Sequence, residues 1–84
     1  MVPRDRFIEA YVGVLQKAVR GGPPIGPQTS VIDSGRVDSF ALADLIAQLE
    51  AATSLRLPTE RLSPGDFDTA ELLANRLANL GLVG

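Results

Sequence analysis

The sequence contains no cysteine, no histidine and no tryptophan. Without Cys and His there are no thiolate or imidazole ligands for zinc, no cysteine nucleophile, no disulfide framework and no histidine general base, so most familiar catalytic sites are excluded. No apolar run approaches the ~20 residues of a membrane span, and no apolar signal core follows the two arginines near the N-terminus. The chain is therefore expected to be soluble, intracellular and cytoplasmic, with no membrane partner. A basic excess is missing as well: eight Lys and Arg stand against ten Asp and Glu, so the electrostatic footprint of a nucleic-acid binder is absent. What is present is 84 residues, 45% hydrophobic and 21% charged, the balance of one small globular domain over residues 1–84. A chain this short hides only about 60% of its unfolded surface, so each large apolar residue counts, including the few aromatics Phe7, Tyr11, Phe40 and Phe67.

Three stretches have helical periodicity. From Pro3 to Arg20, Phe7, Ile8, Tyr11, Val12, Leu15, Ala18 and Val19 recur at spacings of three and four, and Gly21-Gly22 supplies a stop. From Asp38 to about Thr53, Leu42, Leu45, Ile46 and Leu49 stand at i, i+3, i+4 and i+7, with Ala52 continuing the face and Asp38 as N-cap. The last helix begins at Asp68 or Thr69, with Glu71 placed as in a capping box, and carries Leu73, Leu77 and Leu80 up to Gly81. Between the first two helices lies a long loop over 21–37, rich in Gly and Pro, whose Val31 and Ile32 are expected to pin its middle to the core. Leu55 to Pro58 is extended, since a residue before proline is pushed out of the helical region. Thr59 to Leu62 forms one short helical turn capped by Thr59, and Ser63 to Asp66 a further turn before the anchor Phe67. The expected fold is all-α: an antiparallel bundle of three longer helices plus one short one, a four-helix bundle. Its core is Phe7, Tyr11, Leu15, Leu42, Leu45, Ile46, Leu49, Leu57, Leu62, Phe67, Leu73 and Leu77.

The chemistry-bearing segment is Asp33-Ser34-Gly35-Arg36-Val37-Asp38-Ser39-Phe40, with two Asp-Ser pairs at the end of the loop and the second at the start of the best-formed helix. A serine there presents its oxygen outward beside the positive end of the helix dipole, where a phosphate ester would be favoured by roughly 0.3–1 kcal/mol. Ser and Asp also favour helix starts for capping alone. Nothing in the spacing assembles a hydroxyl with a base, so an autonomous enzyme is not expected and no catalytic residue or metal site is assigned.

The order of helix, long loop, Gly-x-x-Asp-Ser-aromatic, amphipathic helix, extended Leu-x-Leu-Pro, short turn, Phe-x-Thr and final helix resembles the acyl and peptidyl carrier protein family, from about Phe7 to Leu80. Gly35 to Leu49, GRVDSFALADLIAQL, is the most specific part; Leu55 to Pro58 and SPGDFDT over 63–69 match more weakly. The resemblance implies that Ser39 is esterified by a phosphopantetheinyl transferase, giving a phosphoprotein whose 4′-phosphopantetheine arm, taken from coenzyme A, carries an acyl or aminoacyl group as a thioester. Asp38 matches the family's aspartate, implied to help hold the metal and the serine during transfer and to begin the helix. Ser34 also follows an aspartate, but Gly35-Arg36 after it lacks the apolar residue and the helix onset. Further partners implied are a loading ligase, adenylation enzyme or acyltransferase, and downstream enzymes such as a ketosynthase or condensation enzyme.

Partner docking is read onto Phe40, Ala41, Asp44 and Ala47. Phe40 falls off the core face of its helix; either it is exposed as a docking contact beside the arm, or it folds back onto Val31 and Ile32. Leu42 points inward one turn below Ser39. The sequence departs from fatty-acid carriers, which resemble one another in an acidic second helix: here the outward positions are Ala41, Asp44, Ala47, Gln48 and Ala51, with Glu50 nearby. Docking by apolar contact and shape fits a stand-alone carrier of a specialised pathway, such as polyketide, nonribosomal peptide or D-alanyl-type transfer. The alternative is a small helical protein-interaction or nucleic-acid-binding module without a prosthetic group. Arg4, Arg6, Lys17 and Arg20 could form a basic patch for it, although scattered surface charge is the usual explanation of such residues.

Overall fold

The computed structural model describes residues 1–19 and 21–84. Arg20, which the sequence places on the polar side of the first helix and in the possible basic patch, lies outside them. Three α-helices make up the frame: α1 (Arg4–Ala18), α2 (Ser39–Thr53) and α3 (Ala70–Asn79). Among the described residues there is no strand; the chain ends are joined by an isolated parallel bridge between Val2 and Val83. Hydrogen bonds from the Gly84 amide to the Val2 carbonyl, 3.0 Å, and from the Arg4 amide to the Gly84 carbonyl, 2.8 Å, reinforce it.

Helix α1 packs against both other helices through Phe7, Ile8, Tyr11, Val14 and Leu15. The buried stripe runs through Val14, whereas Ala18 is exposed and Val12 half-buried. The helix stops before the glycines: Val19 is extended and its amide donates to the Leu15 carbonyl. In α2 the buried line is Leu42, Leu45 and Leu49, one ridge wide, so Ile46 sits half-buried on its rim and Ala52 is exposed. Both depart from the expected stripe. In α3, Ala70, Leu73, Ala74 and Leu77 are buried; these four positions are one full helical face.

The expected capping box of α3 is not formed. Thr69 is the N-cap, accepting from the Leu72 amide at 3.0 Å, and Glu71 instead accepts from the Gln28 side chain. The expected fourth helix is replaced by two 3-10 turns, Thr59–Arg61 and Pro64–Phe67. Thr59 does not cap the first, which follows Pro58 with no side-chain cap. The second is closed by Asp66, whose carboxylate accepts from the Ser63 amide at 2.9 Å. With Pro58 before the first turn, Pro64 opening the second and only two residues between them, neither has room to grow into an α-helix.

Ten of the twelve expected core residues are buried; Ile46 and Leu62 are half-buried and pack against the rest. The core also takes in Ile25, Val31 and Val37 from the long loop and Val83 near the C-terminus. Val31 is fully buried, and Ile32 is half-buried against the core. The loop is thus a structural layer of the domain, pinned at three points before α2 begins.

Candidate functional site

The loop ends in a compact knot. The Val37 amide donates to the Val31 carbonyl at 2.8 Å and the Gly35 amide to the Ile32 carbonyl at 3.0 Å. Gly35 has φ +79°, a left-handed turn that suits a residue without Cβ. Arg36 reaches back across the loop and donates to the carbonyls of Gly21 (2.9 Å) and Pro23 (3.1 Å). Val37 is buried immediately before Asp38, so the start of α2 is held from one side by packing.

Asp38 caps α2: its carboxylate accepts from the Ala41 amide at 2.8 Å. Ser39 is therefore the first helical residue, and its side chain is exposed. Phe40 is 89% exposed, so it does not fold back onto Val31 and Ile32. Ala41, Asp44, Ala47, Gln48 and Ala51 are exposed, while Leu42 is buried beneath Ser39. Glu50 is turned to structural use, accepting from the Leu57 amide at 2.7 Å and tying α2 to the extended segment. Asp44 is then the exposed acid of this helix. Ser34 is also exposed, but it sits in the loop, where its hydroxyl donates to the Ser30 carbonyl at 2.7 Å. On α1, Arg4 is engaged by the Asn75 side chain at 2.9 Å, leaving Arg6 and Lys17 exposed.

Two features of the site were not visible in the sequence. Asp68, one of the two residues expected to start α3, leaves that role to Thr69 and turns its carboxylate to the loop. One oxygen accepts from the Ser30 hydroxyl (2.7 Å), the Asp33 amide (2.9 Å) and the Ile32 amide (3.0 Å). The Asp68 carbonyl accepts from the Val31 amide at 2.8 Å. Burial alone would push this carboxyl up, but the hydrogen bonds from Asp33, Ser30 and Ile32 outweigh it and hold it below the ordinary aspartate value; they favour the charged form. The second feature is Tyr11, fully buried, whose hydroxyl donates to the Phe67 carbonyl at 2.7 Å. Burial, with the charge of Asp68 adding to it, raises the phenol far above its ordinary range, so it remains a donor. The one signal available was that Asp68 and Thr69 are both cap-type residues and a helix uses only one.

Among the described residues, no group of three or more Asp and Glu side chains is placed to hold a metal ion, and no helix is long and apolar enough to cross a membrane. Two surface depressions lie on other parts of the loop: one is lined by residues 26–29 and Glu71, the other centres on residues 21–25 and Arg36. What the site offers chemically is one exposed primary hydroxyl on the first turn of a helix, flanked by an exposed phenyl ring. A scan against protein-family models finds no match, and neither a search of curated proteins nor a search of solved structures finds one.

Proposed function

We propose that this chain is a cytoplasmic carrier protein, not itself an enzyme, that holds acyl or aminoacyl intermediates as thioesters on a 4′-phosphopantetheine arm at Ser39 and presents them to partner enzymes. The observation that carries this reading is the exposed Ser39 in the first turn of a 15-residue helix, directly after the aspartate that caps it. Three helices with a long loop between the first two support an arrangement like that of the carrier family. The arm would supply the thiol that the chain lacks. Ser39 would hold it through a phosphodiester, with the backbone donors and dipole of α2 favouring the negative charge.

In the attachment reaction the Ser39 hydroxyl oxygen forms a bond to the phosphorus that bears the pantetheine of coenzyme A. The pyrophosphate P–O bond breaks and adenosine 3′,5′-bisphosphate leaves. The hydroxyl proton passes to a base of the transferase, since this chain has no histidine to receive it. Asp38 keeps the helix start in place and would stand beside the transferase's metal. Phe40, Ala41, Asp44 and Ala47, all exposed, form the docking surface for the transferase, the loading enzyme (ligase, adenylation enzyme or acyltransferase) and the downstream ketosynthase or condensation enzyme. With Asp44 as its exposed acid, that surface suits a dedicated partner in polyketide, nonribosomal peptide or related biosynthesis.

The test is incubation of the apo protein with coenzyme A and a promiscuous phosphopantetheinyl transferase, read by intact mass. Wild type and Ser34→Ala each gain one phosphopantetheine; Ser39→Ala gains none. A wild type that stays unmodified under every transferase tried overturns the reading. Intact mass of protein from its native host would then identify the cargo.

A further inference from the structure

We propose that Asp68, 29 residues beyond Ser39 in the chain, is a positioning residue for it: its carboxylate sets the loop that delivers Ser39 and so the fraction of molecules ready for modification. This rests on the carrier reading above. Asp68 stands directly before the N-cap of α3 and is anchored from behind, because Phe67 is buried and its carbonyl is bonded by Tyr11. From this fixed point one carboxylate oxygen gathers the Ser30 hydroxyl and the Ile32 and Asp33 amides, while the main-chain carbonyl takes the Val31 amide. The gathered segment passes the constraint on: Ile32, held by the carboxylate through its amide, accepts from the Gly35 amide through its carbonyl, and Gly35 lies three residues before the cap Asp38 and four before Ser39. Only four residues separate Asp33 from Asp38, so the path from the carboxylate's donors to the helix cap is short.

The donors on Asp68 are neutral and lie near the surface, so removing the carboxylate leaves groups that water can satisfy. Val31 keeps both its burial and its bond to the Asp68 main chain. Loss of the side chain therefore loosens the loop without unfolding the domain, and the ready conformation becomes one of several. When only a fraction f of the carrier is competent, the apparent affinity of its partner falls by 1/f while turnover of the bound complex is unchanged.

The experiment measures transferase kinetics with the whole chain as variable substrate, alongside amide hydrogen exchange, at a temperature where every variant is folded by circular dichroism. Asp68→Ala is expected to raise KM roughly tenfold with kcat within about twofold, and to speed exchange at Ile32 and Asp33 but not at Leu45. Asp68→Asn, which keeps an acceptor oxygen, restores KM to within about threefold of wild type. Ser30→Ala removes one donor and leaves the carboxylate; it raises KM about two- to threefold and reads the same linkage should Asp68→Ala fold poorly. Val83→Ala, at the joined chain ends, controls for general loss of stability and leaves KM unchanged. The positioning role is overturned if KM is unmoved in Asp68→Ala and Ser30→Ala, if the loss falls on kcat, or if Val83→Ala reproduces it, and the carrier reading survives each of these. A wild type that is never modified removes the carrier reading and this role together.

Discussion

Tyr11→Phe isolates one buried hydrogen bond. Tyr11 has no exposed surface and donates to the Phe67 carbonyl at 2.7 Å, joining α1 to the residue before Asp68. The phenylalanine ring fills the same space against Phe7, whose ring centroid lies 6.4 Å away, so the substitution removes the bond and little packing. A buried acceptor left without its donor costs about 1–3 kcal/mol; with one carbonyl orphaned and no charge involved, we expect about 1–2 kcal/mol. For an 84-residue chain at about 0.05–0.15 kcal/mol per residue, that is a large share of a total of roughly 4–13 kcal/mol. Urea unfolding followed by far-UV circular dichroism measures it. With a slope of about 1 kcal/mol/M the midpoint falls by about 1–2 M, and melting drops by about 4–8 °C per kcal/mol lost. The slope itself stays constant if only the folded state is weakened. A midpoint change worth less than about 0.5 kcal/mol, the lower bound for any net hydrogen bond, would refute the assignment of Tyr11 as the bolt between α1 and the α3 junction.

Leu49→Ala, fully buried on the single ridge of α2, is expected to cost about 2–5 kcal/mol, and Ile46→Ala, half-buried on its rim, less than half of that; urea midpoints of the two variants check the order. Because the folded-state pKa of Asp68 is lowered, its contribution to stability is complete above the ordinary aspartate pKa and is lost as pH falls through the lowered value. The stability gap between wild type and Asp68→Asn should therefore close on acidification, and parallel pH profiles would contradict it. On the carrier reading, loading by the cognate enzyme is expected to change little between about 50 and 500 mM salt, since Asp44 is the exposed acid of α2 and charge steering is what salt screens; a steep loss of rate would point to electrostatic docking.

What could be read from the sequence was what depends on near neighbours. Asp38 as cap follows from an interaction spanning three residues, and the burial of Leu42, Leu45 and Leu49 from a period of 3.6. Contacts set by the closing of the chain left no local trace. Tyr11 and Phe67 are 56 residues apart, Asp68 and Ser30 are 38 apart, and Val83 meets Val2 across nearly the whole chain. The misread acids before and in α3 share this cause. Asp68 and Glu71 have capping-box spacing, but Thr69 satisfies the α3 terminus and both acids face partners from the loop. Phe40 had two places to go by spacing alone; it is 89% exposed, while Val31 and Val37 are buried and joined by a main-chain hydrogen bond.

The long loop is the element on which the site depends. Seventeen residues without regular structure are costly to order in so small a domain, yet this segment contributes Ile25, Val31 and Val37 to the core. It is tied by Arg36 at its start and by Asp68 past its midpoint. Those two ties act on different stretches: Arg36 closes residues 21–36 on themselves, whereas Asp68 fastens residues 30–33 to α3. The second relates the stretch before α2 to the rest of the bundle, adding to the packing of Val37 and Leu42 in the core. On the carrier reading, an attachment point must project from the surface and still be fixed to the body, and a capped helix on a free loop would meet the first requirement alone. The Asp68 contacts address the second, which is why a substitution there is a sharper probe of the site than one in the exposed face of α2.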